Sequence, residues 1–135
     1  MAPEEKQLLL QDLCARIPHR TFVCLNPGAY NKPEICALTG VHGEQIHLDV
    51  DTDPFRINNI KPYLRSMSSM TEEEKKEFQA CHCIYELHPD FQPMMCNLAN
   101  ELNMFDWLLA HHFDFRGLID KGLALEAPAG MYKTE

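Results

Sequence analysis

The sequence predicts an α+β fold: an N-terminal helix, a small antiparallel sheet of about three strands, and a helical C-terminal half. Three observations carry this reading. Residues 3–17 place apolar side chains at helical spacing. Residues 21–50 hold strand-like runs that end in strict alternation. Helical patterns dominate from Thr71 onward. At 135 residues the chain can build one core without metal or disulfide staples, and its 45% apolar and 24% charged content is that of a globular domain. One domain over 1–127 and a loose tail over 128–135 are expected.

Pro3 to Ile17 is the first predicted helix. Leu10, Leu13, Cys14 and Ile17 match the i, i+3, i+4, i+7 template. Pro3 loses no needed hydrogen bond at a helix start, Glu4 and Glu5 favour the positive end of the dipole, and Pro18 stops the helix. Thr21–Leu25 is rich in β-formers and reads as a strand buried on both faces. Asn26-Pro27-Gly28 marks a turn. Ile35–Val41 is a second strand, and Gly40–Glu44 contains the reversal. Ile46, Leu48 and Val50 then alternate with His47, Asp49 and Asp51, the pattern of a strand with one packed and one wet face. Asp51–Pro54 ends the sheet, and Ile57, Ile60 and Leu64 suggest a short helical turn or edge segment around Lys61-Pro62-Tyr63.

Ser66–Thr71 reads as a loop. Thr71 stands three residues before Glu74, the spacing of a capping box, and Glu72, Glu73 and Glu74 fill the first turn. The second helix is expected from there to about Tyr85, with Phe78, Cys81 and Tyr85 buried. His88–Met95 is a proline-bearing loop. A third helix runs from about Asn97 to His112. Its Leu98, Leu102, Phe105 and Leu109 lie within about 60° of one another, while Trp107 falls opposite, near Met104 and His111. Two apolar faces mean that this helix is central, or that its second face meets a partner. A last short helix is expected around Leu118–Lys121, interrupted at Gly122.

Twenty Asp and Glu against 12 Lys and Arg give a net charge of −8, which repels phosphate backbones and disfavours nucleic acid as a partner. No run approaches the length of a membrane span, and no basic stretch precedes an apolar run at the N-terminus. A cytoplasmic chain with reduced cysteines is therefore expected, with no membrane partner. Cys14, Cys24 and Cys36 read as structural thiols. Cys81-His82-Cys83, His88 and Cys96 are zinc-ligand types. A C-x-C pair on a helix, however, points its thiols about 200° apart, so no metal is expected. Asp49, Asp51 and Asp53 begin like a calcium loop, but Pro54 and Ile60 occupy the positions that need glycine and glutamate. Gly40-Val41-His42-Gly43 has the form of a nucleic-acid clamp, yet it joins strands and reads as a hairpin turn. No phosphate-binding loop or dinucleotide fingerprint occurs, so no cofactor is expected.

His111-His112-Phe113-Asp114-Phe115-Arg116 is the densest polar run. Imidazole beside carboxylate can act as a base with its orienter. Adjacent histidines on a helix splay about 100° apart, and no nucleophile elbow is present. The favoured reading is a helix C-terminus with Asp114 capping the next segment.

Three stretches carry a resemblance: Asp12-Leu13-Cys14-Ala15-Arg16-Ile17-Pro18, then Ile60-Lys61-Pro62-Tyr63-Leu64-Arg65 through Thr71-Glu72-Glu73-Glu74, then Asp106-Trp107-Leu108 through Ala127-Pro128. They cover roughly half the chain, which resembles short proteins of unassigned activity encoded by prophages and mobile elements of gut anaerobic bacteria. The resemblance implies an intracellular accessory protein. It implies no chemistry, and no functional residues carry over.

The expected function is a non-enzymatic protein-interaction or accessory module of a phage or mobile element. It would bind a protein partner or itself through Met104, Trp107 and His111, residue types that anchor interfaces. One alternative is a small-ligand or metal-dependent enzyme using His111, His112, Asp114 and Arg116. Another is a nucleic-acid accessory protein with a local basic patch at Lys61 and Arg65.

Overall fold

Leu9 and Leu13 lie one helical turn apart and are fully buried, and they turn the first helix, α1 (Pro3–Arg16), onto the core. The computed structural model describes residues 1–25, 34–49, 54–80 and 93–132, with the side chains of 34 and 93–100 outside that set. Pro3 opens α1, and the Glu5 carboxylate accepts a 3.0 Å hydrogen bond from the Ala2 amide. A 3-10 turn at Ile17–His19 carries Pro18 and ends at Arg20, whose φ is +50°.

The strands are β1 (Phe22–Leu25), β2 (Glu34–His42), β3 (Gln45–Leu48), β4 (Phe55–Arg56), β5 (Ile60–Ser66), β6 (Phe113–Asp114) and β7 (Leu125–Glu126). Their order is β4-β3-β2-β1-β5-β6, with β7 also paired to β5. The pairs from β4 to β5 are antiparallel, while β6 and β7 run parallel to β5. Gly43, at φ +62°, makes the β2–β3 reversal. Val23, Leu38, Ile46, Leu48, Ile60 and Leu64 from the sheet join Leu9 and Leu13 in the core, and Leu118, Leu123 and Ala124 join it from the chain after β6. Helices α2 (Glu72–Ala80) and α3 (Pro93–Ala110) lie between β5 and β6 in sequence and pack on each other. No helix among the described residues is long and apolar enough to cross a membrane.

Several expectations are corrected. The sheet has seven strands among the described residues, not about three. The C-terminal half is not a helical block: α2 and α3 are set among strand, turn and loop. The region around Lys61-Pro62-Tyr63 is strand, not a helical turn. Pro62 lies opposite Val23, and the β7 ladder starts at Tyr63 and the β6 ladder at Arg65, past the residue that lacks an amide hydrogen. Two-residue strands such as β4, β6 and β7 are too short to show any period, so they exist only where another strand offers an edge. No helix forms at 118–121. Gly117 and Gly122 take φ of +73° and +75°, and the stretch is a pair of turns. Cys14 is exposed, and the buried stripe of α1 is Leu9, Asp12, Leu13 and Arg16. Helix α3 begins at Pro93, inside the expected loop. The readings at Asn26-Pro27-Gly28, Val50–Asp53, Cys81–Cys83, Tyr85 and His88, and the side chains of Cys96 and Leu98, lie outside the described residues.

Candidate functional site: an acidic cleft beside the end of β5

The end of β5 and the start of α2 are joined by a tight reversal. Ser69 Oγ donates a 2.7 Å hydrogen bond to the Ser66 carbonyl across a 3-10 turn at Met67–Ser69. The predicted capping box follows. The Glu74 amide donates to Thr71 Oγ1 at 3.1 Å, and the Thr71 amide donates to Glu74 Oε1 at 3.0 Å.

Glu74 does more than cap. Both its oxygens accept from Arg65, each at 2.7 Å, in a two-pronged ion pair. The Arg65 guanidinium lies 4.2 Å from the centroid of the Phe113 ring. The hydrogen bonds from Arg65 hold the Glu74 carboxyl down to about 2, with Thr71 helping and burial pushing the other way.

Trp107 stacks on Phe113 at 5.8 Å and 10°, and its other ring neighbours are Phe78 of α2 at 5.4 Å and His111 at 4.0 Å. His111 Nδ1 lies 2.9 Å from the Trp107 carbonyl, and Nε2 lies 4.0 Å from Glu77 Oε2. The facing wall is the chain from Glu126 to Tyr132. It is tied to β5 by the Ala127 amide, which donates to the Leu64 carbonyl at 2.7 Å, and by Ser66 Oγ, which donates to Glu126 Oε1 at 3.2 Å. These walls enclose a cleft of about 850 Å³, edged by the exposed carboxylates of Glu72, Glu73, Glu77 and Glu126. That volume lies within the roughly 300–1,000 Å³ usual for ligand sites.

The other polar residues of the run, which the enzyme alternative would bring together, each have contacts of their own. His112 does not line this cleft. It adopts φ +64°, stacks on Tyr132 at 3.7 Å and 13°, and has Nδ1 3.5 Å from Thr21 Oγ1. Burial first, and then the charge of Arg16, pushes its imidazole down to about 4; His19, His111 and Arg65 act in the same direction. Asp114 accepts from the amides of Leu118 at 2.9 Å and Ile119 at 3.0 Å, so it caps the following turn as the sequence indicates. Arg116 Nε sits 3.3 Å from Asp12 Oδ1, and its guanidinium lies over the Phe115 ring. Of His111, His112, Asp114 and Arg116, His111 alone lines the cleft. Met104 is half-buried on α3, and the face of Trp107 is covered by α2 and β6. Among the described side chains of α3, the large apolar ones that are exposed are Leu102 and Phe105, 54% and 46% accessible, which the helical wheel groups with Leu109. No three His, Cys, Asp or Glu side chains among the described residues are grouped to hold a metal ion.

Sequence reasoning missed three features. Asp12 and Arg16 are both fully buried. Arg16 Nε donates to Asp12 Oδ2 at 2.6 Å, and Nη2 donates to the Phe113 carbonyl at 2.7 Å. The available signal was an acid–base pair four residues apart inside the stripe of Leu9 and Leu13. The pairing of Arg65 with Glu74 had no signal beyond the capping box. The tying of Tyr132 to Phe22 and Tyr63 had none at all. No family model matches this chain, and no curated protein or solved structure matches it.

Proposed function

We propose that this protein is a non-enzymatic accessory module that binds a protein partner, and that its acidic cleft receives a basic segment of that partner. The observation that supports the reading is the cleft itself: about 850 Å³ of concave space edged by Glu72, Glu73, Glu77 and Glu126. Carboxylates converging on a cleft attract lysine, arginine and amino-terminal groups, and their attraction speeds encounter with a cationic partner. Most of the polar groups the enzyme reading would use are held in other contacts. Arg65 is spent on Glu74, Asp114 on the amides of the next turn, Arg116 lies against Asp12, and His112 stacks on Tyr132. That commitment argues against the His111, His112, Asp114 and Arg116 enzyme reading. It also removes Arg65 from a basic patch with Lys61, the basis of the nucleic-acid alternative. The setting in a phage or mobile element rests on the sequence resemblance alone.

The test is fluorescence anisotropy with a labelled lysine- and arginine-rich decapeptide and an acidic decapeptide of equal length. The basic peptide binds, and binding weakens steeply as salt rises and the Debye length falls to about 3 Å at 1 M. Changing Glu73, Glu77 and Glu126 together to Gln weakens it about tenfold or more, from exposed charge pairs of up to about 1 kcal/mol each. Equal binding of both peptides, or of the basic peptide to wild type and triple variant, overturns the proposal.

A further inference from the structure

The wall of the cleft formed by residues 125–132 is held to the rest of the fold by few contacts. β7 pairs with β5 over two residues, and the Ala127 amide adds one hydrogen bond to Leu64. Ser66 Oγ adds a hydrogen bond to Glu126, and Tyr132 anchors the far end. The Tyr132 hydroxyl accepts from the Phe22 amide at 2.8 Å and donates to the Tyr63 carbonyl at 2.8 Å, so one phenol joins β1 and β5. Its ring stacks on Phe22 at 5.5 Å and on His112 at 3.7 Å.

His112 is the unusual member. It sits just past the end of α3 at φ +64°, a conformation that glycine or asparagine adopts more cheaply. The strain places an imidazole flat against the Tyr132 ring, a contact that glycine could not make. The groups that face it are cationic or neutral. Arg16 faces it from α1, His19 from the 3-10 turn, His111 from the end of α3, Arg65 from β5, Thr21 from the start of β1, and Tyr132 from the strap. Among the described residues the charged groups that act on it are these, with Arg16 itself paired to Asp12 and Arg65 to Glu74.

We propose that residues 125–132 are a strap closing the cleft, that Tyr132 stacked on His112 is its latch, and that a proton on His112 releases it. A neutral imidazole stacks on the phenol without desolvating a charge. A protonated one is held half-buried near the guanidinium groups of Arg16 and Arg65, and parting from Tyr132 restores more of its hydration. The unlatched chain therefore binds the proton more tightly than the latched one, and acid favours opening. The consequence for binding rests on the cleft reading, because opening removes the wall that carries Glu126.

The experiment is hydrogen exchange of the full chain followed by mass spectrometry from pH 7 to pH 5, corrected for intrinsic exchange chemistry, with basic-peptide anisotropy measured in parallel. In the wild type, strap exchange rises by up to about tenfold per pH unit below 6.5, while the amides of β2 and β3 keep their protection. His112→Asn, which suits the left-handed backbone and cannot take a proton, abolishes that dependence. Tyr132→Phe keeps the ring and loses both hydrogen bonds, so strap exchange is faster at every pH. Strap exchange independent of pH in the wild type, or equally dependent in His112→Asn, overturns the latch; so does an unchanged strap in Tyr132→Phe. If the strap opens as described but the basic peptide binds at no pH, the cleft reading falls and the latch stands. Peptide affinity that drops between pH 6.5 and pH 5 in the wild type but not in His112→Asn supports both.

Discussion

Asp12 and Arg16 put a full ion pair where a helix normally buries aliphatic side chains. The pair is tolerable because Asp12 accepts from two nitrogens of Arg16, the Arg116 guanidinium adds a second positive charge 3.3 Å away, and Arg16 also reaches the Phe113 carbonyl. It ties α1 to the strand that follows α3. Removing one partner leaves the other buried and unpaired, so Asp12→Ala costs about 3–5 kcal/mol, read as a lower urea midpoint. A cost under about 1 kcal/mol, the level of an exposed pair, contradicts the burial. Arg65 and Glu74 are the second such pair, but solvent reaches them at the cleft. They are half legible in the sequence. Thr71-x-x-Glu74 announces a cap through local chemistry, whereas the arginine comes from a strand nine positions earlier that only folding brings close.

At the scale of elements, α3 shows how a helical wheel divides residues into faces without saying which face is covered. The wheel groups Leu102 and Phe105 with Leu109, and sets Trp107 opposite. In the fold, Leu108 and Leu109 are both buried, Trp107 packs against Phe78 and Phe113, and Leu102 and Phe105 are exposed. Of the two apolar faces read from the sequence, the tryptophan side is the one that α2 and β6 settle on. Trp107→Glu therefore destabilises the chain by about 3 kcal/mol or more, as loss of a packed aromatic does, while Leu102→Glu, at an exposed position, leaves the urea midpoint nearly unchanged. A Trp107→Glu chain that keeps its stability but halves its mass by light scattering would instead make that face an interface between copies. Strands divide in the same way. The alternation of Ile46 and Leu48 is local and legible, and β3 follows it. β6 and β7 carry no period and are strands only because β5 accepts them.

For the whole molecule, the acid side of the stability curve follows from two groups. The folded-state pKa of His112 is pushed below its usual 6.5, to about 4, so the unfolded chain holds the extra proton between those values. Its contribution is complete above pH 6.5 and is lost as pH falls toward 4. The Glu74 carboxyl is held down from its usual 4.5 to about 2, and its contribution is complete above pH 4.5 and is lost as pH falls toward 2. Urea stability thus declines in two steps on acidification. Glu74→Gln removes the lower step and lowers stability at neutral pH by about 1–3 kcal/mol, the worth of a charged hydrogen-bonded pair. A single decline confined below pH 4 in both His112→Asn and wild type contradicts the upper step. The sequence by itself determined the α+β class, α1, the β2–β3 hairpin, the capping box and the net charge of −8, because each is written in residues within about one turn or one strand of each other. The tertiary structure alone decided the width of the sheet, the covered face of α3, the stacking of His112 on Tyr132, and the cleft. These depend on pairs such as Phe22 with Tyr132 and Arg16 with Phe113, about a hundred positions apart, and no local period records which distant group fills a given edge or charge.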